Sequence, residues 1–339
     1  KNGGHLSSNL GAVELTIALH YCFNSPEDKI IFDTSHQSYT HKILTGRNHL
    51  FDSIRKYKGL SGFTSPSEST HDHFFAGHAA TALSLALGVA KGRDLKEEDF
   101  YALPVVGDAA FTCGLTHEAL NNIPKDLKKF ILILNDNAMS ISKNVGAITE
   151  ILRSFLPEAT SKKIYNHIEK AMKKLCSCEA FGSDKGIDHQ DPWVDLADTA
   201  PFFEQYGLNY IGPIDGHNIK DLIEVFEKIK KKPNRPYILH LLTHKGQGMD
   251  VAKENPTCYH GARPFDKISG SFLQQSSHNT FPKIFGHHLM KIFDSREDVI
   301  ALTPAMPSGS CIDAVMQKFP KRCLDVGIAE GHCVTFAGG

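Results

Sequence analysis

The sequence predicts an α/β protein: a doubly wound, mostly parallel sheet flanked by helices, followed by the opening of a second α/β domain. Short apolar runs that do not alternate recur along the chain, which is typical of strands buried on both faces. Segments with helical spacing separate these runs, as in the βαβ units of a parallel sheet. The alternation restarts after residue 280, and 339 residues favour about two domains.

The clearest βαβ unit lies in the middle of the chain. Phe100–Val106 and Lys129–Leu134 are predicted strands, because each is a continuous apolar run bounded by turn residues. Between them, Thr112–Asn121 has helical spacing. Both strands should therefore end at the same edge of the sheet, where ligands of such folds bind.

The other elements are predicted from the same two patterns. A helix over Asn9–Phe23 follows a loop whose Ser and Asn residues can cap it. A second helix is predicted to open at Gly77-His78 and to place its backbone N–H groups where an anion could bind. The remaining predictions are strands Lys29–Phe32, Asn209–Pro213 and Pro236–Leu242, helix Ile219–Lys230, and then helix Phe281–Phe293, strand Asp298–Thr303, helix Ser308–Phe319 and strand Leu324–Ala329.

These patterns divide the chain into a domain at residues 1–270, a linker at 271–280 and a second domain from 281–339 that stops part-way. Residues 148–198 combine loose apolar patterning with charges and glycine, so we expect a mobile insertion there.

Composition excludes several classes of function. The net charge is −1 and there is no extended basic cluster, so we expect no nucleic-acid partner. No apolar run approaches the roughly 20 residues of a membrane span, so we expect no membrane partner. The eight cysteines include no CxxC pair, which suits a reducing compartment such as the cytoplasm. Histidine is unusually frequent at 19 residues and can exchange protons near neutral pH.

The residues at the two central strand ends predict a metal–diphosphate site. Asp108 offers a carboxylate and Asn137 an amide oxygen, the ligands that Mg²⁺ prefers when phosphate oxygens complete its shell. Gly107, Ala109 and Ala110 leave room for a diphosphate to approach the backbone. The alternative is an ordinary turn with a helix cap, followed by a polar loop.

Taken together, these features resemble the 1-deoxy-D-xylulose-5-phosphate synthase family, which are transketolase-like thiamine diphosphate enzymes. The resemblance runs through the whole chain. It is carried in order by Gly3-Gly4-His5, Asp33-Thr34-Ser35-His36-Gln37, Gly77-His78, Gly107-Asp108 with Asn135-Asp136-Asn137, Ile211–His217 and Ile328–His332.

The resemblance implies a thiamine diphosphate-binding fold, in which residues 281–339 would begin the pyrimidine-binding domain. It also implies a transferase that uses thiamine diphosphate and Mg²⁺ to condense pyruvate with D-glyceraldehyde 3-phosphate, giving 1-deoxy-D-xylulose 5-phosphate and CO₂. This would be the first step of the methylerythritol phosphate isoprenoid pathway, and the product would also serve thiamine synthesis. A homodimer is implied, in the cytoplasm or, in a plant or alga, the plastid stroma. The family's phosphate-anchoring arginines lie beyond Gly339, so we expect this chain to be inactive alone.

The resemblance also implies a role for each matching residue. Asp108 and Asn137 would bind the metal through their side chains and Met139 through its backbone oxygen. Glu330 would bond N1′ of the aminopyrimidine, and in a dry cleft a raised pKa would let it hold the proton needed there. His5, His36 and His260 would stand near the reacting carbon as acid–base candidates. The positions that match the cofactor's surroundings are His36, Gly77, His78, Ala79, Ala109, Ala110, Asn137, Lys245, Met249 and Glu330.

Four positions depart from the family's pattern: Ala109 for Gly, Ala79 for Ser, Met249 for Tyr and Gly331 for Gln. The methyl of Ala109 is tolerable where its φ is negative. The missing Ser hydroxyl would cost about 1 kcal/mol of cofactor binding. None of the four removes a metal ligand or Glu330, so we interpret them as variation.

Two alternatives stay open at the level of sequence. A transketolase or a pyruvate dehydrogenase-like enzyme would use the same metal motif. A non-catalytic homologue would explain Ala79 and Ala109, although it would not explain why Asp108, Asn137 and Glu330 are present.

Overall fold

The computed structural model describes residues 1–137, 146–154, 200–273 and 280–339. Its centre is a five-stranded sheet in the order β1-β2-β3-β5-β4, in which every neighbouring pair is parallel. All five carboxyl ends therefore lie along one edge. The strands are β1 Lys29–Phe32, β2 Ala102–Gly107, β3 Ile131–Asp136, β4 Asn209–Asp215 and β5 Tyr237–Leu242.

Helices cover both faces of this sheet. The described helices are α1 Leu6–Leu10, α2 Val13–Cys22, α3 Tyr39–Lys42, α4 Ala82–Leu95, α5 Asp108–Phe111, α6 Gly114–Leu120, α7 Ala147–Ser154, α8 Ala200–Glu204, α9 Ile219–Lys230, α10 Asp250–Glu254, α11 Phe281–Ser295, α12 Asp313–Lys318 and α13 Glu330–Gly338, with irregular helical turns at Ile43–Arg47 and Asn48–Ser53.

Alternate residues of β2 show how the two cores form. Leu103 and Val105 join the core beneath α2 and α9, whereas Ala102 and Val106 join the core beneath α4 and α6. The strand lacks an apolar–polar alternation because both of its faces are buried. The doubly wound arrangement that the apolar runs predict is therefore present.

A separate two-stranded parallel sheet follows, formed by β6 Ala301–Thr303 and β7 Cys323–Asp325. It has its own small core, centred on Phe293, Ile312 and Val315. Its strands are shorter than predicted because only three residue pairs are in register. The predicted linker falls largely on residues 274–279, outside the described part, and the division into domains stays a prediction.

The predicted helix Asn9–Phe23 is wrong in one respect, because it is two helices, α1 and α2. The break lies where Gly11 packs against the loop after β5: a Cβ on Gly11 would stand 3.0 Å from the His244 carbonyl oxygen. No Ser or Asn side chain caps either helix. The Asn9 side chain instead forms hydrogen bonds with the backbone of His5, His36 and Tyr39.

The helix predicted to open at Gly77-His78 begins only at Ala82. Ala80 takes a φ of 68°, which interrupts a helix. The Asp33 carboxylate accepts from the N–H groups of Ala80 (2.8 Å) and Ala82 (3.2 Å). The N–H groups expected to bind an anion therefore already serve an internal carboxylate.

Most of the predicted insertion at 148–198 lies outside the described residues, apart from its first turns in α7. Within the described part, no helix is both long and apolar enough to cross a membrane.

Candidate active site

Asp108 and Asn137 meet at the carboxyl edge of the sheet. Their strands are paired, and the Asn137 N–H lies 3.5 Å from Asp108 Oδ1. Asp108 is buried, and Asn137 Oδ1 is buried without a hydrogen-bond partner among the described residues. Burying an oxygen without a hydrogen-bond partner costs free energy unless a ligand supplies the missing partner. A Cβ added to Gly107 would meet no atom within 4 Å, so the backbone there is open to a ligand.

This donor set fits a magnesium ion that shares its shell with a diphosphate. No group of three His, Cys, Asp or Glu side chains in the described part could hold a metal by itself. A metal ion here would therefore be bound by two protein oxygens together with phosphate oxygens of the ligand. The third predicted ligand, Met139, lies outside the described residues.

Ala109 and Ala110 lie in the short helix α5, directly after Asp108. Ala109 is not among the residues with positive φ, so its methyl causes no backbone strain. Ala110 is buried in the core, whereas Ala109 is only half-buried and can face a ligand.

Lys245 places a buried cation near Asp108 and near two of the predicted catalytic histidines, His36 and His260. Burial lowers the pKa of Lys245 to about 8, and the charge of Asp108 opposes that shift. The charge of Lys245 in turn contributes to the lowered pKa values of His36 and His260. Lys245 is thus within electrostatic range of the predicted metal ligand and of two predicted catalytic histidines.

His5, His36 and His260 form a compact cluster. The ring centroids of His5 and His36 are 5.3 Å apart, those of His5 and His260 5.7 Å, and those of His36 and His260 5.3 Å. The Nδ1 atoms of His5 and His36 are buried without a partner in the described chain. Two ring nitrogens are therefore available to a bound molecule.

The three rings are neutral at pH 7. Burial and the charge of Arg55 lower the pKa of His5 to about 4. Burial, Lys245 and His5 lower that of His260 to about 3, and burial with the neighbouring histidines lowers that of His36 well below its usual range. Each ring therefore has a lone pair that can accept a hydrogen bond, and none carries a spare proton at neutral pH.

Sequence reasoning missed the residues that hold this cluster together. Asn9 donates to the carbonyl oxygens of His5 (2.7 Å) and His36 (2.6 Å) and accepts from the Tyr39 N–H (2.8 Å). Ser8 Oγ lies 3.3 Å from His260 Nδ1. The only sequence signal was a polar Ser-Ser-Asn run beside Gly-Gly-His, which we interpreted as a helix cap.

The predicted cofactor contacts at Gly77, His78 and Ala79 lie in a loop, with Gly77 and His78 exposed and Ala79 half-buried. A Cβ on Gly77 would meet no atom within 4 Å, so this loop is also open to a ligand. The charge of His78 acts on Asp33 at the end of β1, which places the loop at the same edge of the sheet.

Glu330 and Met249 have contrasting surroundings. Glu330 is half-buried at the start of α13, and its charge adds to burial in raising the pKa of Cys113, just after α5. Its charge therefore acts on a residue next to α5, the helix that begins at Asp108. Met249 packs against the small apolar cluster around Tyr259 and Ala262, and no described contact ties it to the metal ligands.

Comparison with known proteins identifies the family. The profile described as 1-deoxy-D-xylulose-5-phosphate synthase matches residues 1–243. The chain belongs to this synthase family. The synthase of Chlamydia pneumoniae is 50% identical over 343 residues, covering 100% of this chain and 53% of that protein. That of Chlamydia abortus is 48% identical, with 100% and 53% covered. This member thus spans about half the length of the curated relatives it matches.

Solved transketolases confirm the predicted fold class, the thiamine diphosphate-binding α/β fold. The transketolase of Campylobacter jejuni superposes with a TM-score of 0.56 at 16% identity, covering 96% of this chain and 58% of that one. A Pichia stipitis transketolase, solved with sedoheptulose 7-phosphate, gives 0.55 at 17% identity, with 94% and 44% covered. At such identities the likeness concerns the fold alone.

Proposed function

We propose that the protein carrying this chain is a 1-deoxy-D-xylulose-5-phosphate synthase that uses thiamine diphosphate and Mg²⁺. It would condense pyruvate with D-glyceraldehyde 3-phosphate and release CO₂. The observation that carries the proposal is that Asp108 and Asn137 meet at adjacent strand ends, where the buried Asn137 Oδ1 has no hydrogen-bond partner among the described residues. Family membership supports the choice of reaction.

The residues present fit the cofactor. Asp108 and Asn137 would hold Mg²⁺, with Met139 completing the protein ligands, and Lys245 would neutralise diphosphate charge. The loop around Gly77, His78 and Ala79 and the start of α5 at Ala109 and Ala110 would leave room for it. When bound, thiamine diphosphate supplies a thiazolium ring, which stabilises the negative charge that develops on the substrate's carbonyl carbon.

The protein's share of the chemistry is then orientation and proton transfer. Glu330 would hydrogen-bond the aminopyrimidine ring and hold a proton there. His5, His36 and His260, being neutral, would accept a proton from a substrate hydroxyl or hydrogen-bond a developing alkoxide. Their burial limits competing water, which strengthens such interactions.

The metal assignment is tested by calorimetry of the full-length protein with thiamine diphosphate. Binding should require Mg²⁺ in the wild type and be lost in Asp108→Ala, because one of two side-chain ligands is gone. Asp126→Ala, on a loop between α6 and β3, is the control and should bind normally. Metal-independent binding would contradict the metal site, and no binding at all would favour a non-catalytic homologue.

The reaction is tested with pairs of substrates. Release of CO₂ from pyruvate that is stimulated by D-glyceraldehyde 3-phosphate supports the synthase. Dependence on a ketose donor would indicate a transketolase instead, and pyruvate turnover without the aldehyde would indicate a pyruvate dehydrogenase-like enzyme.

The family resemblance implies the assembly, and the composition of the chain supports the location and the absence of nucleic-acid and membrane partners. We propose a homodimer in the cytoplasm, with no nucleic-acid or membrane partner. Sedimentation of the full-length protein, with and without nucleic acid or lipid vesicles, tests the assembly, and a monomer would contradict it.

A further inference from the structure

The loop that carries Lys245 is fastened by a histidine outside the catalytic cluster. His217 follows β4, and its Nε2 accepts from the backbone N–H of His244 (2.8 Å). Its Nδ1 lies 3.0 Å from Glu14 Oε2, on α2. The His217 and His244 rings stack, with centroids 5.9 Å apart and planes 11° apart. One side chain thus links α2, the end of β4 and the loop after β5.

The partners of His217 fix which nitrogen carries its hydrogen. A backbone N–H can only donate, so Nε2 must present a lone pair to His244. A carboxylate can only accept, so Nδ1 must donate to Glu14. The His217 side chain is 9% exposed and that of Glu14 25%, so the bond between them is largely buried. Glu14 and the His244 N–H therefore favour the same tautomer, the one with its hydrogen on Nδ1.

A second anchor holds the other side of Lys245. The Gly246 N–H donates to the Ser7 carbonyl oxygen (2.8 Å), and Gly11 packs closely on the His244 carbonyl. The residues before and after Lys245 are therefore both fixed, while the lysine itself is buried near Asp108. Losing the His217 bond would release one of these two anchors.

We propose that His217, in the tautomer with its hydrogen on Nδ1, is a positioning residue for Lys245 and thereby sets the affinity of the site for a diphosphate. This inference rests on the proposed function, because it assigns Lys245 to the cofactor's diphosphate. His217 acts only through the backbone of His244, the residue before Lys245. We do not place it in contact with the reacting atoms.

The test measures the affinity of the full-length protein for thiamine diphosphate with Mg²⁺ by calorimetry. His217→Phe retains an aromatic ring but forms neither hydrogen bond. It should weaken binding about three- to tenfold, the range expected for losing the one bond that holds the His244 backbone. His217→Gln offers an amide oxygen to His244 and an amide N–H to Glu14, so it should bind within about twofold of wild type. Equal losses in both variants would overturn the proposal.

A double-mutant cycle with Lys245→Ala separates positioning from general damage. If His217 acts through Lys245, His217→Phe should weaken binding much less once the lysine is gone. A loss of the same size in both backgrounds overturns the proposal. Should His217→Phe fail to fold, Glu14→Ala takes its place, since it removes the acceptor of Nδ1 and leaves the ring held only by its bond from His244.

The cycle also separates this inference from the proposed function. If wild type binds and Lys245→Ala weakens binding, but neither His217→Phe nor Glu14→Ala does, only the role of His217 is wrong. If wild type shows no metal-dependent binding, or Lys245→Ala has no effect, the assignment of Lys245 to the diphosphate fails, and the role of His217 fails with it.

Discussion

Single residues in the candidate site owe their chemistry to burial. His5 and His260 have lowered pKa values mainly because the charged ring would lose its hydration. Lys245 is lowered for the same reason, but only to about 8, so it stays largely charged at pH 7. The candidate site therefore contains neutral rings and a buried cation, the groups that the predicted proton transfer and phosphate binding require.

We predict that His5→Asn lowers turnover of the full-length enzyme by about 100-fold, because Asn can hydrogen-bond but cannot exchange a proton at neutral pH. Steady-state rates of CO₂ release measure this. His49→Asn, at an exposed turn, is the control and should retain the wild-type rate. Near-normal turnover in the His5 variant would assign that ring a structural role.

Glu330→Ala should retain the fold and lose exchange of the cofactor's C2 proton for deuterium, since no acid would remain at the aminopyrimidine. Nuclear magnetic resonance of quenched samples measures the exchange. Glu297→Ala, in the turn before β6, serves as the matched control. Wild-type exchange in the Glu330 variant would remove this residue from the mechanism.

At the scale of elements, hydrogen bonds from backbone N–H groups to one side chain fix where α4 begins. Asp33 joins the end of β1 to the segment before α4, through the N–H groups of Ala80 and Ala82. Burial raises the pKa of Asp33 despite these bonds, which shows how strongly the carboxylate is desolvated. The geometry at the start of α4 therefore depends on a residue almost 50 positions earlier.

Asp33→Ala should lower the free energy of unfolding by about 2 kcal/mol, because it leaves two buried N–H groups unpaired while removing a buried carboxylate. Urea denaturation of the chain measures it. Asp33→Asn retains one acceptor oxygen and should lose less. An Asn variant as unstable as the Ala variant would show that charge, and not hydrogen bonding, is what matters.

At the scale of the whole molecule, buried histidines couple stability to pH. Burial lowers the pKa values of His5, His20 and His73 to about 4 and that of His260 to about 3, against 6.5 for an exposed ring. Between these values the unfolded chain binds more protons than the folded one. The free energy of unfolding should therefore be full above pH 6.5 and fall as the pH drops towards 4.

Urea midpoints measured from pH 7.5 to pH 4.5 test this dependence. His73→Phe should flatten it, because the variant no longer takes up that proton on unfolding, and the buried Nε2 of His73 has no partner in the described chain. A midpoint that is constant from pH 7 to pH 5 would contradict the assigned shifts.

Most strands and helices, and the residue types at the carboxyl edge of the sheet, could be predicted from the sequence alone. Lys29–Phe32 and Ile219–Lys230 have the predicted bounds, because their apolar patterns and flanking turn residues are local. Asp108 and Asn137 could be placed together because parallel strands end at one edge of a sheet. The metal-binding role of both residues stays a prediction.

Contacts between segments far apart in the chain, in contrast, are visible only in the folded molecule. Ser8 reaches His260 across 252 positions, and Glu14 reaches His217 across 203. No local pattern records such pairs, since they depend on how loops from different strands pack. For the same reason the break at Gly11 and the late start of α4 could not be predicted: each is imposed by a partner far away in the chain.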